Sequence, residues 1–272
     1  PAFPAGTAHI IPNASLLLPG PAVILPVFLM YVAFGWKDSH LWLMLFYAMF
    51  SIPFSVWILK GFLDGVSTRF DDPYYSLDDG LAETRHVFLA GNGLPERFRD
   101  GFHVAELGFG TGLNLLAVLD LWRRSGQTGR LRFTTFEAFP LAAEDMIRAQ
   151  ADFPELDALA AELAPQWGAV RFDLPDLRFE MITGDARATL PRWDGTADAW
   201  FLDGFSPARN PELWEPALLP SVADHTAPGG TAATYSAAGH IRRALDAAGL
   251  VTARQPGYGR KRHMTTARKA PA

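Results

Sequence analysis

The chain has 272 residues, 24 of them Lys or Arg and 29 Asp or Glu, for a formal charge of −5. That length suits one large domain or one domain with an appendage, and the mild acidity excludes a protein that coats nucleic acid over its whole surface. The absence of cysteine excludes disulfides, cysteine-ligated zinc and a thiol nucleophile.

Residues 1–66 read differently from the rest. No Asp, Glu, Lys or Arg precedes Lys37, and Pro21 to Gly35 is almost wholly apolar. The polar break Lys37-Asp38-Ser39-His40 leads into Leu41 to Leu59, which carries no charge and approaches the ~20 residues needed to cross a bilayer. Pro53 would kink such a helix without forbidding it. Two transmembrane helices joined by a tight turn are therefore expected; a cleaved signal peptide fits worse, because no basic region precedes the apolar run. Pro26-Val27-Phe28-Leu29-Met30 and the run Phe50 to Asp64 resemble the inner-membrane permease subunits of ABC sugar importers, over about residues 20–66. The resemblance stops before the coupling loop that engages the ATPase. It implies a permease fragment joined near Arg69-Phe70-Asp71-Asp72 to an unrelated enzyme, by gene fusion or in sequence assembly. If genuine, the segment would act as a membrane anchor.

From Phe70 onward the chain reads as soluble, and a second domain is expected over 67–272. Tyr74 to Gly93 mixes short apolar runs with Asp78, Asp79, Glu83 and Arg85, giving an appendage before the first core strand. Phe102 to Leu107 is predicted as a buried strand, followed by a glycine-rich turn and then Leu113, Leu115, Leu116, Val118, Leu119 and Leu121 at helical spacing. Further strands are predicted at Leu131–Glu137, Arg178–Thr183, Ala197–Leu202 and Gly230–Tyr235, with helices at Ala142–Gln150 and Gly239–Ala248. Leu250–Arg254 and Arg262–Ala267 are expected to pair antiparallel at the end. Asp152 to Asp176, with no clean period, reads as an insertion. Strands alternating with helices predict an α/β fold with a mostly parallel, seven-stranded, Rossmann-like sheet.

The turn Glu106-Leu107-Gly108-Phe109-Gly110-Thr111-Gly112-Leu113-Asn114 indicates which ligand such a sheet would take. A dinucleotide fingerprint is G-x-G-x-x-G, but here Leu113 stands where its third glycine is needed. The pattern acid-x-G-x-G-x-G resembles motif I of the S-adenosylmethionine (SAM) methyltransferases. SAM carries no phosphate, so the turn need only pass close to ribose and methionine tail, with Glu106 facing the ammonium. A tight strand-to-helix turn without a ligand is the bland alternative.

Four acids fall at or beside successive strand ends: Glu106, Glu137, Asp185 and Asp203. In open α/β sheets ligands bind at that edge. Glu137 suits the ribose hydroxyls and Asp185 the adenine amino group. Any one of these acids also reads as a turn or N-cap residue; four in succession point to a ligand.

Further segments carry a closer resemblance. Phe70 to Ser76, Asp78-Asp79-Gly80-Leu81 with Glu83-Thr84-Arg85, Gly91 to Pro95, Glu106 to Asn114, Phe136-Glu137, Gly184-Asp185, Ala199 to Pro211 and Gly257 to Arg262 are similar to the methyltransferase domain of the MnmC family. These bacterial enzymes finish the modified wobble uridine of certain tRNAs. The match runs from about Phe70 to about Lys269 and departs from the usual pattern at Pro73 and His263. Full-length members add a C-terminal FAD-dependent oxidase; none follows here, so only methyl transfer is implied, in the cytoplasm.

The implied reaction moves a methyl group from SAM to the primary amine of 5-aminomethyl(-2-thio)uridine. An alkylammonium has no lone pair, so a carboxylate must take up its proton, and Asp203 is the candidate. The resemblance also implies cofactor contacts from Glu106, Gly108, Phe109, Gly110, Gly112, Asn114, Glu137, Asp185 and Asp203, with no metal. Phe205 and Trp214 are candidates to stack on a flipped base. From Gly239 onward Arg242, Arg243, Arg254, Arg260, Lys261, Arg262, Arg268 and Lys269 oppose the single acid Asp246, so the Arg260-Lys261-Arg262 hairpin is expected to hold tRNA phosphates. Two other classes stay open: a SAM methyltransferase acting on a small molecule or protein, and a membrane permease fragment without enzymatic role.

Overall fold

The computed structural model describes residues 80–204, 211–215, 218–259 and 261–272. The chain divides into two units between Gly65 and Val66, and all described residues fall in the second. The permease-like hairpin and the Phe70–Ser76 segment lie outside the described residues. Among those described, no helix is long and apolar enough to cross a membrane.

The elements are α1 (Gly80–Thr84), β1 (His103–Leu107), α2 (Leu113–Arg124), β2 (Leu131–Glu137), α3 (Ala143–Gln150), α4 (Asp157–Leu163), β3 (Arg171–Asp173), β4 (Leu177–Thr183), α5 (Ala186–Thr189), β5 (Ala197–Leu202), α6 (Leu218–Asp224), β6 (Thr226–Thr234), α7 (Gly239–Ala247), β7 (Leu250–Pro256) and β8 (His263–Lys269). They build one sheet in the order β3-β4-β2-β1-β5-β6-β8-β7. β1, β2, β4, β5 and β6 run parallel, and β7 and β8 close the far edge antiparallel. From β1 the chain winds outward through β2 and β4, then returns to place β5 on β1's other side. The gap between β1 and β5 is thus the point where strand order reverses, and its carboxyl edge is where such sheets bind ligands.

All five residues of β1 are buried, as a central strand covered on both faces requires. Alternation sends Val104 into one core with Phe133, Phe179, Phe201 and the α2 leucines, and Ala105 and Leu107 into the other with Phe136, Trp200, Leu202 and Ile241. Glu106, in step with Val104, points into the first layer with no accessible surface.

The expected count of seven strands is corrected to eight. The segment read as an insertion contains α4 and the three-residue β3, which pairs antiparallel with β4. Three residues are too short to show a period in sequence. What holds β3 is cross-strand chemistry: Phe172 stacks on Phe179 with centroids 4.6 Å apart, while Arg171 pairs with Glu180 and Asp173 with Arg178 on either side.

The appendage is helical. α1 continues as a π-turn over Arg85–Leu89 and a 3-10 turn over Ala90–Asn92. It is tied to the sheet by Arg97, whose guanidinium donates to the carbonyls of Asn92, Asp198 and Gly229 and to the Thr231 hydroxyl.

His103, at the start of β1, is 3% exposed. Its ring bonds the Thr196 carbonyl at 2.7 Å and the Thr134 hydroxyl at 2.9 Å. Burial, with the Arg132 charge adding to it, pushes its pKa down to about 4. A histidine held neutral in the fold but free to protonate when unfolded makes stability fall as pH drops below its unfolded value of 6.5. Between pH 7 and pH 5 this single group should remove about 2 kcal/mol. Over the same interval the raised pKa values of Asp203 and Glu106 act in the opposite sense, so the readout is the difference. In urea unfolding the change from pH 7 to pH 5 should be less favourable in the native protein than in His103→Gln by about 2 kcal/mol, and equal changes would exclude the assignment.

Candidate functional site

The turn after β1 is fixed by backbone geometry. Gly108 and Gly112 hold φ of +84° and +79°, the left-handed region that side chains disfavour. A Cβ on Gly108 would lie 2.3 Å from the Asp203 carbonyl oxygen, so the turn and the end of β5 touch backbone to backbone. Gly112 stands at the N-cap of α2. Glu137, ending β2, receives the turn: its Oε2 accepts from the Phe109 N–H at 2.8 Å and the Gly110 N–H at 3.4 Å, and its Oε1 from the Phe139 N–H at 2.8 Å. The Phe109 ring packs inward against Phe179 and Trp167, so this residue offers a ligand backbone only.

Beneath the turn lies a carboxylate pair bridged by one amide. Asn114 Nδ2 donates to Glu106 Oε1 at 2.9 Å and to Asp203 Oδ2 at 2.6 Å, and its Oδ1 accepts from the Thr84 hydroxyl at 2.9 Å. Burial, reinforced by the Asp203 charge, raises Glu106 well above the usual carboxylate range. Burial also lifts Asp203, up to about 7; the Asn114 hydrogen bond opposes this, Glu83 adds to it and Lys261 opposes it. Asp203 keeps some accessible surface and Glu106 has none, so Asp203 ionises first. Glu106 Oε2 is not satisfied by a hydrogen bond of ordinary geometry; the facing Thr135 hydroxyl is near enough to oppose the rise in the Glu106 pKa.

The other sequence candidates divide. Asp185 caps α5 through the Arg187 N–H at 2.9 Å and pairs with the Arg187 guanidinium at 2.6 Å. That hydrogen bond holds its pKa below the ordinary value. Trp214 is 3% exposed in the second core layer, edge-on to Tyr235. Buried in this way, it packs in the core where stacking on a base was expected. Phe205 and Arg260 lie outside the described residues. Arg262 is exposed. Lys261 turns inward, with its ammonium 2.7 Å from Glu83 Oε1 and 4.0 Å from the centroid of the Tyr235 ring.

Sequence reasoning assigned no role to Glu83, Thr84 or Tyr235. The signal for Glu83 and Thr84 is their place in the Glu83-Thr84-Arg85 run that resembles the MnmC family. Tyr235, one residue past β6, had none; its hydroxyl donates to the Gly204 carbonyl, directly after Asp203. Among the described residues no group of acids and histidines could hold a metal ion.

With fold and site in view, the comparisons align with both. Residues 154–270 match the profile of a family described as S-adenosyl-L-methionine-dependent methyltransferase. The chain is 50% identical over 206 residues to the tRNA 5-methylaminomethyl-2-thiouridine biosynthesis bifunctional protein MnmC of Caulobacter vibrioides, covering 72% of this chain and 35% of that protein. It is 46% identical over 212 residues to the protein of the same name from Pseudomonas aeruginosa, covering 73% and 32%. The matched part of the chain is therefore a methyltransferase domain of MnmC type. The chain spans about a third of the length of these curated relatives. The crystal structure of MnmC2 from Aquifex aeolicus superposes with a TM-score of 0.61 at 26% identity, covering 75% of this chain and 66% of that one.

The residues of this MnmC-type domain fit SAM. The turn places three left-handed glycines at the switch point, held in position by the Phe109 and Gly110 amides bonded to Glu137. A buried oxygen of Glu106 lacks a donor of ordinary geometry there, which a ligand ammonium would supply. Glu137 retains lone pairs beyond the three bonds it accepts. The domain is an enzyme of the SAM-dependent methyltransferase class.

Proposed function

We propose that this chain methylates the aminomethyl nitrogen of 5-aminomethyl(-2-thio)uridine at the tRNA wobble position. The observation that carries the reading is the Asp203–Asn114–Glu106 bridge at the β1–β5 switch point, beside the glycine turn. The curated relatives named for this wobble-base pathway support it.

SAM, when bound, supplies an electrophilic methyl group on a sulfonium and leaves as the thioether. Gly108, Gly110 and Gly112, with Glu106, Asn114 and the Phe109 backbone, would hold its methionine and ribose end. Glu137 would meet the ribose hydroxyls. Asp185 would meet the adenine amino group. Asp203 Oδ accepts the proton that the incoming ammonium must lose, so that the amine presents a lone pair. Asn114, held by Thr84, fixes the rotamer of that carboxylate. Arg260 and Arg262 contribute charge for RNA phosphates, and Phe205 an aromatic for the base.

The test is radiolabelled methyl transfer to tRNA from cells lacking this modification, followed by nucleoside analysis, with the full chain and a fragment beginning at Ser67. Both should label the wobble uridine's aminomethyl nitrogen, because every residue of the proposed site follows Ser67. Label at another nucleoside, or none, would leave a methyltransferase of different substrate. An inactive but folded fragment would make residues 1–66 part of the working enzyme.

A further inference from the structure

Three remote segments converge beside Asp203. Glu83 comes from α1, Tyr235 from the end of β6 and Lys261 from the loop joining β7 and β8. The Lys261 ammonium sits against the Glu83 carboxylate at 2.7 Å and over the Tyr235 ring at 4.0 Å. A carboxylate and an aromatic face together form a cation seat, and each contact favours a compact ammonium. The seat is joined to the catalytic carboxylate on two sides. Tyr235 bonds the carbonyl of Gly204, and Thr84, next to Glu83, bonds Asn114, which bonds Asp203.

The group held in this seat is a primary alkylammonium on a methylene. So is the proposed substrate's aminomethyl group. The Glu83 side chain is only 12% exposed, whereas that of Lys261 is 45% exposed. A largely buried carboxylate is costly to leave unpaired, but a half-exposed lysine on a hairpin returns to water easily. One ammonium can therefore replace the other with little change in the charge balance around Glu83.

We propose that Glu83 and the Tyr235 ring form the seat that recognises the substrate's aminomethyl nitrogen, and that Lys261 occupies it as a built-in competitor until the substrate displaces it. This rests on the wobble-uridine reading above. Seated there, the substrate arrives as an ammonium next to Asp203. One N–H proton passes to Asp203 Oδ, and the neutral amine that remains is the nucleophile. An uncharged substituent at the same position of the base could not displace the lysine, so the seat sets specificity. Glu83 and Tyr235 thus bind substrate, and Lys261 gates access.

The test uses the full chain and two anticodon stem–loop RNAs, one with 5-aminomethyluridine and one with uridine at the wobble position. Affinity is measured for both. The native protein should prefer the aminomethyl RNA. Lys261→Met removes the competitor and should raise that preference by about tenfold, with a lower KM and little change in kcat. Glu83→Gln, of the same shape but uncharged, should abolish the preference while SAM affinity stays unchanged. A preference that Glu83→Gln leaves intact, or that Lys261→Met reduces, would overturn the proposal. Lys261→Met changes a half-exposed side chain, so it decides the question even if Glu83→Gln folds poorly. Native protein that methylates neither RNA would refute the wobble reading itself; methylation of the aminomethyl RNA with unaltered preference in both variants would refute only the seat.

Discussion

Asp203→Asn should lower turnover by about 10²–10⁴-fold, the usual contribution of a positioned general base, with SAM and tRNA affinity close to native. The amide keeps the shape of the side chain and can still accept from Asn114 through its oxygen, so the bridge to Glu106 survives. It cannot take a proton from the substrate ammonium. The acid must be ionised to act, and burial lifts it up to about 7. Activity should therefore be low where Asp203 is protonated and climb as pH rises through that value. A profile of kcat/KM against pH is the measurement. The native enzyme should show the ascending limb near pH 7, and the residual activity of the variant should lack it. An identical limb in both would assign the titration to another group, Glu106 or the substrate amine.

Gly108→Ala should abolish SAM binding. Its methyl group would stand 2.3 Å from the Asp203 carbonyl oxygen, and that obstacle is backbone, which cannot rotate away. The left-handed conformation adds about 1–3 kcal/mol of strain for a residue with a side chain. Relief requires β1 and β5 to separate at the place where the ligand would lie. Titration calorimetry should find the affinity reduced by at least about a hundredfold, about 2.7 kcal/mol. Gly101→Ala is the control, since Gly101 also has positive φ, +72°, but nothing within 4 Å of a Cβ. It should lose some stability and bind SAM normally. Normal binding by a folded Gly108→Ala protein would show that the turn does not meet the ligand.

Much of the fold was legible because its central strands are apolar runs ended by an acid or a glycine. β2 and β5 fall at their expected bounds for that reason. The antiparallel pair at the β7–β8 edge followed from the two short runs flanking Gly257 and Gly259. β3 was not legible, since three residues have no period and its partner, Glu180, lies on a later strand. At the site, strand ends marked Glu106, Glu137 and Asp203, and the structure brings Glu106 and Asp203 onto one amide. What local sequence could not show was direction. Charge alone turned Lys261 outward to RNA; in the fold it faces Glu83, 178 residues earlier. Trp214 likewise gave no sign of which way its ring pointed.

The anchoring of the helical appendage through Arg97 bears on how the protein is made. Its guanidinium binds acceptors 101, 132 and 134 residues further along the chain. α1 and the π-turn leave the ribosome before any of those acceptors exist. Pairings at such separation close slowly, because loop entropy is lost before contacts repay it. A nascent chain can dock Thr84 on Asn114 early, but Arg97 waits for acceptors on β5 and β6 and Glu83 for Lys261 in the β7–β8 loop. Anchoring of the appendage is therefore among the last contacts to form, after the residues of the Asp203–Asn114–Glu106 bridge have all been synthesised.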